Sequence, residues 1–184
     1  MQKETAENEQ QVIGTQTEPT EDAQIQKNNV SEDTEKKEQA PSDKESGHMQ
    51  YMVEEEKLAK DLYTYFGDKY GSRPFMNIQE SEQRHMNMMI QMLERNNVSY
   101  NLSEKPGVFY NAELQELYNN LIAQGNTSEL DAYKVGKVIE ETDISDLEVA
   151  LKNTKDVTNI NIYKNLLRAS ESHLQAFNRQ LSRY

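Results

Sequence analysis

From Met49 to the C-terminus, apolar residues return at alternating steps of three and four, the period of a helix packed on one side. Met52, Glu56, Ala59, Tyr63, Phe66 and Tyr70 fall on one stripe of a helix predicted over about 50 to 70, which Gly71 and Pro74 end. A second helix, over about 76 to 96, carries Ile78, Glu82, His85, Met89 and Met92 on its stripe and stops at Asn96 and Asn97. A connection containing Pro106 and Gly107 leads into a short amphipathic helix over about 111 to 123, with Leu114, Leu117, Tyr118 and Leu121 on one face and Gly125 as its C-terminal cap. Thr127 or Ser128 caps a third long helix, over about 128 to 152, that turns Ala132, Gly136, Ile139, Glu140, Asp143 and Leu147 inward. The fourth, over about 157 to 182, carries Tyr163, Leu166, Ser170, His173, Phe177 and Leu181. Strand-like alternation is absent. The pattern predicts an all-α fold: two helical hairpins joined by a crossover with a small helix, making a four-helix bundle with long helices of roughly 30 to 40 Å.

Ahead of Met49 the pattern stops. Residues 1–48 hold 12 acidic residues and 5 lysines, no aromatic residue and only 8 hydrophobic ones. That is too little apolar surface to offset the conformational entropy of folding, so this stretch is expected to be a disordered acidic tail or linker, and 49–184 the folded domain. If a signal had been removed ahead of it, the tail would be a spacer for an exported or surface-tethered domain; a complete chain would be cytoplasmic.

Charge and composition then remove several classes of function. With 20 Lys and Arg against 32 Asp and Glu, the net charge is -12, which argues against nucleic acid as a partner. Zero Cys excludes disulfides, thiolate catalysis, cysteine zinc sites and iron–sulfur clusters. No stretch reaches the roughly 18 to 20 apolar residues that a membrane span requires, and the N-terminus lacks the apolar core of a signal peptide.

Every inward stripe is interrupted near its middle by a group able to bind a metal. Glu56 lies between Met52 and Ala59; Glu82 and His85 form an i, i+3 pair between Ile78 and Met89; Glu140 and Asp143 form another between Ile139 and Leu147; His173 lies between Leu166 and Phe177. Each has an ordinary explanation when taken singly. Glu54, Glu55 and Glu56 make a run that reads as a solvated cluster complementing the helix dipole. His173 reads as a satisfied structural histidine and Asp143 as a surface acid or cap. Glu45 and His48 repeat the Glu-x-x-His spacing at the edge of the tail, so the short pattern also arises without a site. The conjunction on four helices is what singles the set out. A buried unpaired charge costs several kcal/mol, and one cation between the helices would compensate all of them. Carboxylates with imidazoles suit iron, one or two ions, or alternatively manganese.

Five blocks in order carry a resemblance: Tyr-Met-x-Glu-Glu-Glu-Lys-Leu-Ala at 51–59, Arg-Pro-Phe-x-Asn-Ile-x-x-Ser-Glu-x-Arg-His-Met at 73–86, Gly-Val-Phe at 107–109, Val-Gly-x-x-Ile-Glu-Glu-x-Asp-Ile-x-Asp-Leu at 135–147, and Asn-Leu-Leu-Arg-x-Ser-x-x-His-Leu at 165–174. Together they resemble a largely uncharacterised prokaryotic family, domain of unknown function 2202, within the ferritin-like superfamily. The resemblance implies a ferritin-like four-helix bundle with a carboxylate-bridged di-iron site of ferritin or rubrerythrin type. It implies Glu56 as the first-helix ligand, Glu82 as bridge, His85 as terminal ligand, Glu140 with Asp143 as the third-helix carboxylates, and His173 on the fourth. The fourth-helix Glu expected three residues before His173 is Ser170. The activity implied is an oxidoreductase of ferroxidase or peroxidase type, acting on dioxygen or hydrogen peroxide. Tyr63, one turn or more from the metal, reads either as a hydrogen-bond donor to the site or as ordinary core packing, and a homodimer is the candidate assembly. The competing expectation is a non-enzymatic helical interaction module with a structural or vestigial metal site.

Overall fold

The computed structural model describes residues 40–184, and among them every regular element is helical: α1 Asp43–Tyr70, α2 Arg73–Arg95, α3 Ala112–Gly125, α4 Glu129–Asn153 and α5 Val157–Leu181. The expected tail over residues 1–39 lies outside the described residues. Residues 43–48, placed by the sequence pattern in that tail, instead form the first turns of α1. The reason is local. Ser42 accepts the Glu45 backbone N–H at 3.3 Å while the Glu45 carboxylate accepts the Ser42 N–H at 2.9 Å, a reciprocal cap that needs no apolar residue.

Gly71 closes α1 in the left-handed region, at φ 63°, and Ser72 already opens α2. Pro74, expected only to terminate α1, sits in the first turn of α2, where its missing N–H has no helical partner to lose. Gly125, expected as a cap, is instead the last residue of α3, ahead of the Asn126 cap. Its smallness serves packing: a Cβ there would lie 2.2 Å from the Phe66 ring.

α1 packs on α2 and α4 on α5, the pairs meet through α1 with α4 and α2 with α5, and α3 lies across α1 and α4. The crossover between α2 and α3 is bolted to one polar row of α1. Glu54 accepts the N–H groups of Tyr110 and Asn111 at 2.6 and 2.8 Å, Lys57 donates to the Lys105 carbonyl at 3.0 Å, and Asp61, paired with Lys57, accepts the Gly107 N–H at 2.9 Å. These i, i+3, i+7 positions are buried, yet each has its partners, so they hold the chain in place and have no chemistry to spare.

The apolar core divides into two clusters of different character. One is aromatic, with Tyr63, Phe66, Phe75, Tyr133 and Phe177; the rings of Tyr63 and Phe75 each lie 5.3 Å from that of Phe177, and Phe75 stacks on Tyr133 at 5.2 Å. The other is rich in thioethers, with Met49, Met52, Met86, Met89 and Met92 around Leu147, Tyr163 and Leu166. In the aromatic half, Gly136 lets Phe177 press against the backbone of α4, and a Cβ at that position would meet the ring at 2.6 Å. Because neighbouring rings hem Phe177 in, Gly136→Ala should destabilise the domain by about 1 to 3 kcal/mol despite alanine's better helix propensity. Denaturant unfolding measures this; an unchanged or raised midpoint would show that Phe177 has room to move.

Candidate metal centre

On each of the four long helices the polar exceptions fall between the two halves of the core. α1 runs from Met52 through Glu56 to Tyr63, α2 from Ile78 through Glu82 and His85 to Met89, α4 from Ile139 through Glu140 and Asp143 to Leu147, and α5 from Leu166 through Ser170 and His173 to Phe177. Helical register thus delivers the groups to one layer, and packing buries them: Glu56, Glu82 and Glu140 each retain 2% of their exposure and His85 3%.

Within the layer the donors form two trios that share a residue. Ligand atoms of Glu56, Glu82 and His85 lie within 4.8 Å of one another, and so do those of Glu82, Glu140 and His173. Glu82 stands between them. Its Oε2 is 2.8 Å from His85 Nδ1 and its Oε1 is 2.8 Å from His173 Nδ1. Glu56 approaches His85 Nδ1 at 3.3 Å, and Glu140 approaches His173 Nδ1 at 3.5 Å. The two imidazoles lie nearly parallel, 5.5 Å apart.

These short separations are not ordinary hydrogen bonds. Nδ1 of both histidines, Oε1 of Glu56 and Oε1 of Glu82 are buried without a partner in hydrogen-bonding geometry. Buried polar atoms are rarely left so. Nitrogen and oxygen lone pairs that converge without bonding each other suit a cation between them. The outer nitrogen of His85 has its own support, Ser81 Oγ at 3.3 Å, a contact of the kind that orients a ligating imidazole. Tyr63, fully buried, donates to Glu140 Oε1 at 2.7 Å, which leaves the other oxygen of Glu140 facing His173.

Without a cation the charges regulate one another. Burial, opposed by His85 and reinforced by Glu82, pushes Glu56 up to about 8. Burial and the Glu82 charge push Glu140 up to about 7. Burial would raise Glu82 as well, but contacts from both imidazoles outweigh it and hold this carboxyl down at about 2. Burial would lower the histidines; their carboxylate neighbours win, raising His85 to about 10 and His173 to about 9.

Asp143 lies outside both trios. It is buried in the same layer, where the Ser170 hydroxyl donates to its Oδ2, so the residue standing where the resemblance implies a glutamate is hydrogen-bonded to the second acid of α4. Burial first, then the charges of Glu56 and Glu140, raises the Asp143 carboxyl well above the usual range. Glu55 is the buried acid that the sequence pattern assigned to solvent. A run of three glutamates places its members about 100° apart on a helix, so one was expected inside at most. Here α2, α4 and the crossover enclose α1 on three sides, and Glu54, Glu55 and Glu56 are all buried. The signal available was slight: Ala59, at i+4 to Glu55, offers that carboxylate no surface partner, and Lys60, at i+4 to Glu56, reaches Asp61 instead.

Comparison with known proteins adds a lineage. The chain is 40% identical over 144 residues, 78% of each chain, to the uncharacterized protein MJ0754 of Methanocaldococcus jannaschii. The crystal structure of hypothetical protein MJ0754 from Methanococcus jannaschii superposes with a TM-score of 0.77, covering 79% of this chain and 84% of that one. A DUF305 fragment from Deinococcus radiodurans, 16% identical, is similar in fold alone, with a TM-score of 0.59 over 79% of this chain and all of the fragment. Residues 45–184 match the uncharacterized protein domain DUF2202, and the chain belongs to that family.

Proposed function

We propose that this chain is a metal-binding protein of ferritin-like four-helix architecture that holds two iron or manganese ions in its central layer and acts as an oxidoreductase of ferroxidase or peroxidase type. The observation that carries this reading is the position of Glu82, with one carboxylate oxygen beside each histidine and both Nδ1 atoms lacking a hydrogen-bond partner. Glu56 and His85 would hold one ion, Glu140 and His173 the other, and Glu82 would bridge them. Two such ions held by oxygen donors and imidazole supply two-electron redox chemistry toward dioxygen or hydrogen peroxide.

The protein's own groups prepare that layer. Burial of the three glutamates and of His85 puts their charges at low dielectric, where carboxylate charge is poorly screened and attracts a cation strongly. Tyr63 fixes the rotamer of Glu140 through its hydroxyl, and Ser81 fixes the ring of His85. Ser170 donates to Asp143, which belongs to neither trio. Each ion is thereby left with the same donor set, two carboxylates and one imidazole.

Anaerobic titration with ferrous or manganous ion should give two equivalents. His85→Ala should lose the event assigned to Glu56 and Glu82, His173→Ala the one assigned to Glu140, and Glu82→Ala both. Absence of stoichiometric binding in the unaltered protein, or retention of both events in Glu82→Ala, would sink the reading.

Stability should depend on pH in opposite senses with and without metal. Glu56, Glu140, His85 and His173 all bind protons more tightly folded than unfolded, so the metal-free fold carries extra protons and loses stability as pH rises through their folded values, about 7 to 10. Glu82 has the opposite sign, and its contribution disappears only below the ordinary carboxylate range. Bound metal replaces those protons, so the rise in melting temperature on adding manganous ion should be larger near pH about 8.5 than near pH about 5.5. A metal-free melting temperature that climbs across this interval would contradict the assignment.

A further inference from the structure

Beside the buried layer, between α1 and α4, lie polar residues that the two trios do not use. Glu55, 4% exposed, has Oε2 without a hydrogen-bond partner and lines a cavity of about 10 Å³ whose other walls include Glu56, Glu82, Glu140 and Asp143. That is room for one water or one small cation. Asp146 on α4, half-buried, is near enough for its charge to act on Glu55. Towards the start of α1, the half-buried His48 reaches the Asp146 backbone carbonyl at 3.2 Å through Nε2, and it lines an open cleft of about 310 Å³. His48 and Glu55 are seven residues apart, two turns along one face of α1. The chain has three histidines, and the fold sets the third at the outer end of an acidic row that leads to the other two.

Given the metal-binding reading above, on which this inference rests, we propose that divalent cations enter along the seam between α1 and α4, passing from His48 and Asp146 to Glu55 and into the cavity beside Asp143 before they reach the trios. The two ends of the layer are closed by the aromatic and methionine halves of the core. A bare cation would have to shed its water there without replacement donors, at prohibitive cost. Along the seam, oxygen donors stand at successive depths, so hydration is exchanged stepwise. Glu55 then has a reason to be buried with a free oxygen: it hands the ion inward and, lying outside both trios, does not keep it.

The test is the rate of loading, read separately from its extent. Cobaltous ion serves as the probe, since its visible absorption changes when carboxylate and imidazole replace water; uptake is followed by anaerobic stopped flow on the full chain. Glu55→Gln and Asp146→Asn should each slow uptake by about tenfold or more, the scale on which a focusing acidic cleft raises cation association, while the final two equivalents remain. His48→Gln should slow it less, because its imidazole stands at the mouth. Glu148→Gln removes an exposed acid of α4 and should leave the rate unchanged. Circular dichroism melting of each variant confirms that the layer is folded, and Asp146→Asn, at a half-buried position, serves if Glu55→Gln does not fold. Unchanged rates in the Glu55 and Asp146 variants would overturn the route, as would equal slowing by Glu148→Gln or the loss of an equivalent in Glu55→Gln. Failure of the unaltered protein to take up cobalt at all would instead overturn the metal-binding reading itself.

Discussion

Five carboxyl groups, those of Glu55, Glu56, Glu82, Glu140 and Asp143, are buried within one layer of a helical domain beside only two imidazoles, and the rest of the structure is organised around that imbalance. Burying a charge without a partner costs several kcal/mol, comparable to the whole stability margin of a domain this size. Proton binding relieves part of it, as the raised carboxyls of Glu56 and Glu140 show. The rest of the compensation must come from groups that the helices aim at the same point. Long helices, tight connections and heavy packing at both ends supply the rigidity to hold like charges together.

Most of the fold was legible because it follows from short-range rules. The three-and-four spacing of Met52, Ala59, Tyr63 and Phe66, the left-handed Gly71, and the stop at Asn96 and Asn97, where Asn97 takes φ 54°, all appear where the pattern put them. The misplacements share one cause, which is that a residue type with two uses was given the wrong one. Ser42 with Glu45 starts a helix in a stretch too polar to look ordered. Pro74 begins α2 where it seemed only to end α1, and Gly125 makes space for Phe66 where it seemed to turn the chain. In each case local chemistry allows both outcomes and a tertiary neighbour decides.

The site shows the same division. Glu56, Glu82, His85, Glu140 and His173 could be picked out because each breaks an apolar stripe, and the fold brings all five into the two trios. Which atom faces which depends on rotamers that no spacing encodes. Glu82 between two histidines is a property of four packed helices, and so is the pairing of Ser170 with Asp143. Glu55 escaped notice because burial of three successive glutamates requires three separate neighbours around one helix.

The separation of the core into an aromatic half and a methionine half has a mechanical consequence. A helical domain ordinarily frays from its ends, because the middle holds the deepest packing. Here each end has a complete apolar core of its own, and the middle holds mutually repelling acids. The costly layer is therefore central, and four unbroken helices carry the chain through it from one apolar half to the other. Whatever neutralises the acids acts on all four long helices at once, because each contributes a buried polar group to the layer.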